Sequence, residues 1–255
     1  MVQIVYKIFT KPHRIKYSNI SYLAVILGSL NRYHQEFVIS VIDELVESII
    51  LGLELNDFKF NQRRIAEVKY MGELYLYRMV DHPAIFDVLY KILTFGHDGA
   101  VPKAGSINQL DLPDDYFRAR LVCNILETCG VYYDKGVTKK KLDYFLTFFQ
   151  YYLQTKDPLP MDIEFLVQDT FALIRPQWKL LTDPEEAYNA FVEAIKQQTP
   201  SAGRGGEAED AEESSGASDD DELGDVDGDD ADGDDDNESL ESAEVCVALQ
   251  EFVLL

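Results

Sequence analysis

Residues 33–54 read YHQEFVISVIDELVESIILGLE, and the rest of the chain is organised around this stretch. It contains no proline, and its single glycine, Gly52, lies near the end, so the stretch can form one long helix. At about 100° per residue, positions that are 7, 11 and 18 apart fall nearly in line along a helix. Four acidic residues have this spacing and form what we call the acidic seam: Glu36, Asp43, Glu47 and Glu54.

Apolar side chains fill most of the remaining circumference of this helix. They are Phe37, Val38, Val41, Ile42, Leu45, Val46, Ile49, Ile50 and Leu53. A helix this apolar is expected to be packed on nearly all sides and open to water only along the acidic seam. Asp43 and Glu47 are four residues apart and repel each other, and the helix contains no basic residue. The seam therefore needs cations from outside its own helix.

Three roles are open for the acidic seam. It could be an ordinary solvated helix face, or it could be neutralised by Arg63, Arg64 and Lys69 of the next helical segment. It could also be a docking line for a basic protein.

Hydrophobic patterning up to residue 200 predicts an all-α fold. Apolar residues recur with helical spacing in eight or nine segments, and no strand pattern stands out. Residues 97–112, rich in Gly, Pro, Ser and Asn, are expected to form the longest loop. Pro113 with two following aspartates, and Pro184 with two following glutamates, are typical of first helical turns. Most loops are short, which favours stacked antiparallel helical hairpins, a HEAT-like α-solenoid.

Charge divides the chain into three parts. The net charge is −23, and the residues from Ser201 onward hold nearly all of this excess. We therefore predict a helical-repeat domain at 1–200, a disordered acidic tail at 201–244 and a short apolar peptide at 245–255. Within the tail, Ser218 precedes four acidic residues and is a candidate phosphorylation site for an acid-directed kinase.

The sequence holds no recognisable catalytic or metal-binding motif. Its four histidines and three cysteines are not spaced as metal ligands, and nucleotide-binding loops and nucleophile elbows are missing. We therefore expect no enzyme activity, no metal and no cofactor.

No run approaches the roughly 18–20 apolar residues of a membrane span, and the odd cysteine count fits reduced thiols. These features predict a soluble protein of the cytoplasm or nucleus, and we expect a cytoplasmic location that could include the perinuclear region.

Basic residues form a second candidate site. Four lysines crowd one loop-to-helix junction: Lys135, Lys139, Lys140 and Lys141. They could contact an RNA backbone, be the solvated end of a helix, or be covered by the acidic tail. Arg118 and Arg120, at the head of an otherwise apolar helix, are more typical of structural ion pairs with a neighbouring helix.

Four strings carry a family resemblance. They are KFNQRRIAEVKYMGELYLYRMV at 59–80, LPDDYFRARLVCNILETCGVYYDKG at 112–136, KKKLDYFLTFFQYYL at 139–153 and MDIEFLVQDTFALIRP at 161–176. Together they resemble the third middle-domain-of-initiation-factor-four-gamma repeat of the up-frameshift two family, the scaffolds of nonsense-mediated mRNA decay. The resemblance runs from about residue 16 to residue 198, and an acidic tract after the domain is also similar.

The resemblance implies a non-enzymatic adaptor. Such domains bind the basic RNA-recognition-like domain of an up-frameshift three protein, and the family's acidic contact residues fall on Glu47 and Glu54. The resemblance further implies weak RNA binding and contact with the pathway's kinase, neither of which it places on residues here. The family also has two more such domains and a helicase-binding segment beyond the acidic tract. Residues 245–255 do not resemble that segment, so we expect a fragment or truncated product that does not bind the helicase.

Overall fold

The computed structural model describes residues 2–97, 101–105 and 108–198, and these ranges contain nine α-helices and no β-strand. The prediction of an all-α fold is confirmed. The helices are α1 Val2–Phe9, α2 Ile20–Asn31, α3 Gln35–Leu55, α4 Asn61–Leu76, α5 His82–Thr94, α6 Phe117–Cys129, α7 Gly136–Gln154, α8 Met161–Ile174 and α9 Pro184–Gln198.

The helices are arranged in two rows. In one row α2, α4, α6 and α8 pack against each other in order, and beside it α5, α7 and α9 pack in order. The seam helix, α3, packs on α2 and α4 at the N-terminal end of the molecule. This arrangement is the α-solenoid of stacked hairpins that the short loops predict.

Aromatic side chains of α7 hold the C-terminal half together. The Phe149 ring stacks on Phe171 of α8, with centroids 6.3 Å apart, and Phe148 packs on Phe191 of α9 at 5.3 Å. All four rings are buried. Each such ring pair contributes about 0.5–1.5 kcal/mol beyond the burial of its area, so α7 serves as the central helix of this half.

The start of α6 differs from the sequence-based expectation. Pro113, Asp114 and Asp115 were predicted to form the first helical turn, and this prediction is wrong because the helix begins at Phe117. Asp115 instead lies in the turn before the helix, one residue before the N-cap Tyr116, and its carboxylate accepts a hydrogen bond from the Phe117 backbone N–H at 2.9 Å. A Pro-Asp-Asp string suits a capping turn as well as a first turn, so the sequence could not distinguish them.

The two arginines of α6 have separate structural roles. Arg120 pairs with Asp162 of α8, as the expected helix-to-helix ion pair. Arg118 is fully buried and donates to the backbone carbonyls of Ile92, Phe95 and Leu110 at 2.9–3.0 Å. The ionic partner of Arg118 is Asp111, which lies in the 97–112 loop and not on a neighbouring helix. Arg118 therefore fixes the longest loop of the domain to the core.

Gly72 sets the separation of α4 and α6. A Cβ at this position would lie 2.9 Å from Cβ and Cγ2 of Thr128 on α6. We predict that Gly72→Ala lowers the free energy of unfolding by about 1–3 kcal/mol, because α4 must move away from its neighbour. Gly28→Ala in α2 is the matched control. A Cβ there meets nothing closer than 3.6 Å, so the higher helix propensity of Ala should stabilise the domain by about 0.5–1 kcal/mol. Urea denaturation should give shifts of opposite sign, and equal shifts would contradict this account.

Several sequence-based predictions lie outside the described residues. These are the acidic tail at 201–244, its candidate phosphorylation site Ser218 and the apolar peptide at 245–255.

Candidate protein-docking surface

The four acids of the seam lie along the exposed side of α3. Glu36, Asp43, Glu47 and Glu54 are all exposed to solvent. Among the described residues, no lysine or arginine lies within ion-pairing distance of any of them. The seam is therefore a line of carboxylates about 27 Å long, at 1.5 Å per residue, without a counter-ion among the residues that the structure describes.

The basic residues of α4 have other partners. Arg63 pairs with Glu67 at 2.7 Å, and Lys69 pairs with Glu73 at 3.0 Å. Arg64 is buried, donates to the side chain of Asn56 at 2.9 Å and stacks on a ring of α6. Internal neutralisation of the seam, one of the three roles left open by the sequence, is therefore wrong.

Two features make the seam unfavourable in the isolated domain. Asp43 and Glu47 are a like-charge pair at i,i+4, which costs a few tenths of a kcal/mol. Glu54 lies in the last turn of α3, where the helix dipole is negative and where no basic residue offsets it. A cation brought by another molecule would offset both the repulsion between Asp43 and Glu47 and the unfavourable interaction of Glu54 with the helix dipole.

Substitutions at the two ends of the seam should separate this dipole effect from charge alone. Glu54→Gln should raise the free energy of unfolding by about 0.3–1 kcal/mol, whereas Glu36→Gln, in the first turn, should lower it by a similar amount. Both variants lose one negative charge, so a general charge effect would give shifts of one sign. Urea denaturation at low salt measures the difference, which should shrink in high salt.

Helix α1 borders the N-terminal half of the seam. The Tyr6 hydroxyl donates to the backbone carbonyl of Ser40 at 3.2 Å, and the Tyr6 ring packs edge-on against Phe37. Burial, followed by the charges of Glu44, Glu47 and Asp43, raises the pKa of Tyr6. Glu44 is an exposed fifth acid that the sequence analysis missed, because it lies about 80° around the helix from Glu36.

Asn56 fixes the C-terminal end of the seam. It ends α3 in the left-handed conformation, with φ 40°, which Asn adopts more readily than most residues. Its amide nitrogen donates to the Leu110 carbonyl at 3.2 Å and to the Asp115 carboxylate at 2.9 Å. The last turn of α3, with Glu54, is thereby attached to the long loop and to the start of α6.

The helix is more open than its sequence predicts. The expectation that α3 meets water only along the acidic seam is wrong, because Ile39, Leu51 and Leu55 are also exposed. Within the described ranges, these three side chains are therefore only partly covered by their neighbours. The exposed surface therefore combines carboxylates with aliphatic side chains.

The lysines of the second candidate site lie at the N-terminal end of α7. Lys135 precedes the helix, Lys139 and Lys140 are exposed, and Lys141 is half-buried. Lys141 is near His82, whose pKa is lowered by burial and then by this lysine. The four side chains share one helix end, but the three consecutive ones point in directions about 100° apart.

Two further kinds of site were sought among the described residues. They contain no group of three or more His, Cys, Asp or Glu side chains placed to hold a metal ion. None of their helices is long and apolar enough to cross a membrane.

Comparison with known proteins identifies the fold family. The MIF4G domain family matches residues 1–177. The chain belongs to this family. It is 42% identical over 201 residues to "Regulator of nonsense transcripts UPF2" of Arabidopsis thaliana and 46% identical over 182 residues to "Regulator of nonsense transcripts 2" of Homo sapiens. These alignments cover 79% and 68% of this chain, but only 17% and 14% of the relatives.

A fungal relative extends the comparison. "Nonsense-mediated mRNA decay protein 2" of Saccharomyces cerevisiae is 39% identical over 170 residues, which is 66% of this chain and 15% of that protein. The family resemblance noted from the sequence is therefore confirmed for a MIF4G domain of the nonsense-transcript regulators. Its assignment to the third such repeat stays a prediction.

Proposed function

We propose that this MIF4G domain is a non-catalytic adaptor of nonsense-mediated mRNA decay. In this proposal its acidic seam docks the basic RNA-recognition-like domain of an up-frameshift three protein. The observation that carries the proposal is the contrast between α3 and α4: the acids of the seam have no ion pair among the described residues, whereas Arg63 and Lys69 have one. The names of the relatives supply the pathway.

The geometry suits fast, selective association. Exposed carboxylates attract a basic surface over roughly one Debye length, about 8–10 Å at physiological salt. Complementary charge of this kind raises the association rate and rejects acidic partners.

The proposal also places the protein in the cytoplasm, where it would meet the other decay factors. Contact with the pathway's kinase stays a prediction without assigned residues.

A pull-down tests the proposal. The probe is a purified RNA-recognition-like domain of an up-frameshift three protein, incubated with the wild-type chain and with the Glu47→Arg, Glu54→Arg double variant at moderate salt. We expect the wild type to be retained and the double variant to be lost. Equal retention of the two proteins would refute docking on the seam.

RNA-backbone binding is a second candidate function. Lys135, Lys139 and Lys140 are exposed and have no ion-pair partner among the described residues, at a helix end where the dipole favours anions. Changing Lys139, Lys140 and Lys141 to Glu should then remove retention of a single-stranded RNA at low salt. Unchanged retention would exclude this site.

A further inference from the structure

An apolar surface adjoins the C-terminal half of the acidic seam. It consists of Leu51, Leu55 and Phe60, which are 45%, 56% and 43% exposed and line one small pocket between α3 and α4. We call these three residues the apolar shoulder. Leu51 follows Glu47 by four residues and precedes Glu54 by three, so its Cβ lies about 5–6 Å from theirs. One aliphatic side chain thus lies between two uncompensated carboxylates.

We propose that the apolar shoulder binds an aliphatic or aromatic side chain of the same basic partner, beside the cations that Glu47 and Glu54 receive, and that this contact sets the lifetime of the complex. This inference rests on the proposed function, since it assigns a second role to the same surface. Charge complementarity identifies the occupant: a side chain that lies on the shoulder must come from a surface that also brings Lys or Arg to the seam.

The pocket beneath the shoulder limits how the partner binds. Its volume is about 40 Å³, enough for one water-sized group but too small for a side-chain ring. Arg64 and Glu67 are among its lining residues, and Nε and Nη2 of Arg64 and Oε2 of Glu67 are buried without a protein hydrogen-bond partner. An apolar plug would leave these atoms unpaired, at a cost. The partner's apolar side chain is therefore expected to lie across the pocket mouth, on the exposed Leu and Phe side chains.

The spacing also suggests what the partner presents. On a β-strand, side chains at i and i+2 point to the same face and lie about 6.6–6.8 Å apart. This distance is close to the separation of about 5–6 Å between the Cβ atom of Leu51 and those of Glu47 and Glu54. A strand with Lys or Arg at one position and an aliphatic or aromatic residue two positions away would match the surface.

The opposite side of the seam offers less exposed apolar surface. A pocket of about 130 Å³ lies there between α3, α4 and α5. The α3 residues that line it are buried or half-buried: Val46, Ile49, Ile50 and Leu53. Ile39, 50% exposed, lies on this opposite side and provides a matched control.

Dissociation kinetics test the inference. We would immobilise the RNA-recognition-like domain and measure association and dissociation rates of the wild type, Leu51→Ala, Leu55→Ala, their double variant and Ile39→Ala. Each shoulder substitution should speed dissociation about fivefold, and the double about 25-fold, because part of a leucine contact is removed. The association rate and its salt dependence should stay near wild type, since no charge changes. Ile39→Ala should dissociate within twofold of the wild type.

Two outcomes would overturn the inference, and they are distinguishable. If shoulder variants dissociate like the wild type while the Glu47→Arg, Glu54→Arg variant fails to bind, the shoulder proposal is wrong and the proposed function stands. If the charge reversals bind like the wild type, the proposed function fails and the shoulder assignment fails with it. Thermal melting of every variant verifies folding, and alanine in helix α3 should preserve it.

Discussion

Replacing Asp111 with Asn should lower the free energy of unfolding by about 3–5 kcal/mol. Its carboxylate is 1% exposed and lies 2.6 Å from Nζ of Lys156 and 3.3 Å from Nε of Arg118. The carboxylate also accepts from the Tyr152 hydroxyl at 3.0 Å and lies 2.8 Å from Nε2 of His97. Asn keeps the shape but removes the charge, which leaves two buried cations without their counter-ion.

The same contacts make stability depend on pH. Burial alone would raise the pKa of Asp111, but the hydrogen bond with His97 and the charges of Arg118 and Lys156 hold it below its ordinary value. Because the folded-state pKa is lower than the unfolded one, the contribution is fully present above the unfolded pKa. It is lost as the pH falls through the folded pKa. The wild type should therefore lose stability below about pH 4, and Asp111→Asn should lose less over that range.

Urea denaturation at neutral and acid pH measures both effects. Asp114→Asn is the control, because this exposed aspartate lies three residues further along the same loop. We expect it to change the free energy of unfolding by no more than about 0.5 kcal/mol. A loss below about 1 kcal/mol for Asp111→Asn would show that the cations find other partners or leave the core.

Asp111 also affects the docking surface through Leu110, the residue before it in the loop. The Leu110 carbonyl accepts from Nη2 of Arg118 at 2.9 Å and from the Asn56 amide at 3.2 Å. Asn56 in turn ends α3 immediately after Leu55 of the apolar shoulder. Loss of the buried ion cluster should therefore loosen the last turn of α3, which contains Glu54.

Local features of this protein were predictable from sequence. The acidic seam was found because all four acids lie on one helix, where the 3.6-residue repeat alone determines which residues share a face. The all-α class followed from the same repeat in the other segments. Both predictions depend on residues within about 20 positions of each other.

Features that depend on packing were not predictable in this way. The Asp111 cluster joins residues from His97 to Lys156, and nothing in their spacing indicates that they meet. The partners of Arg63 and Lys69 were equally undetermined, since a lysine or arginine on α4 could face either the seam or its own helix. Exposure of Leu51 and Leu55 depends on where α4 leaves α3 uncovered, so the prediction that α3 meets water only along the acidic seam was wrong.

Reversal of two seam charges should have the largest effect on partner binding. We expect Glu47→Arg with Glu54→Arg to weaken affinity for the basic RNA-recognition-like domain more than 100-fold, because attraction is replaced by like-charge repulsion. Neither acid has an ion pair among the described residues, so no intramolecular contact is broken. Arg at position 47 would instead lie four residues after Asp43, a favourable i,i+4 pair. Stability and helix content should therefore be unchanged or slightly higher.

The affinity of the wild type should fall steeply with salt, mainly through a slower association rate, because attraction between exposed charges is screened.

A variant with Asp169→Arg on α8 and Glu193→Arg on α9 is the control. It changes the net charge by the same amount as the Glu47→Arg, Glu54→Arg variant, at exposed positions far along the chain from α3. Its affinity should stay within about threefold of the wild type, since only the long-range field changes. If both double variants lost affinity equally, net charge alone would govern association. A selective loss in the α3 variant requires that the partner contacts the seam itself.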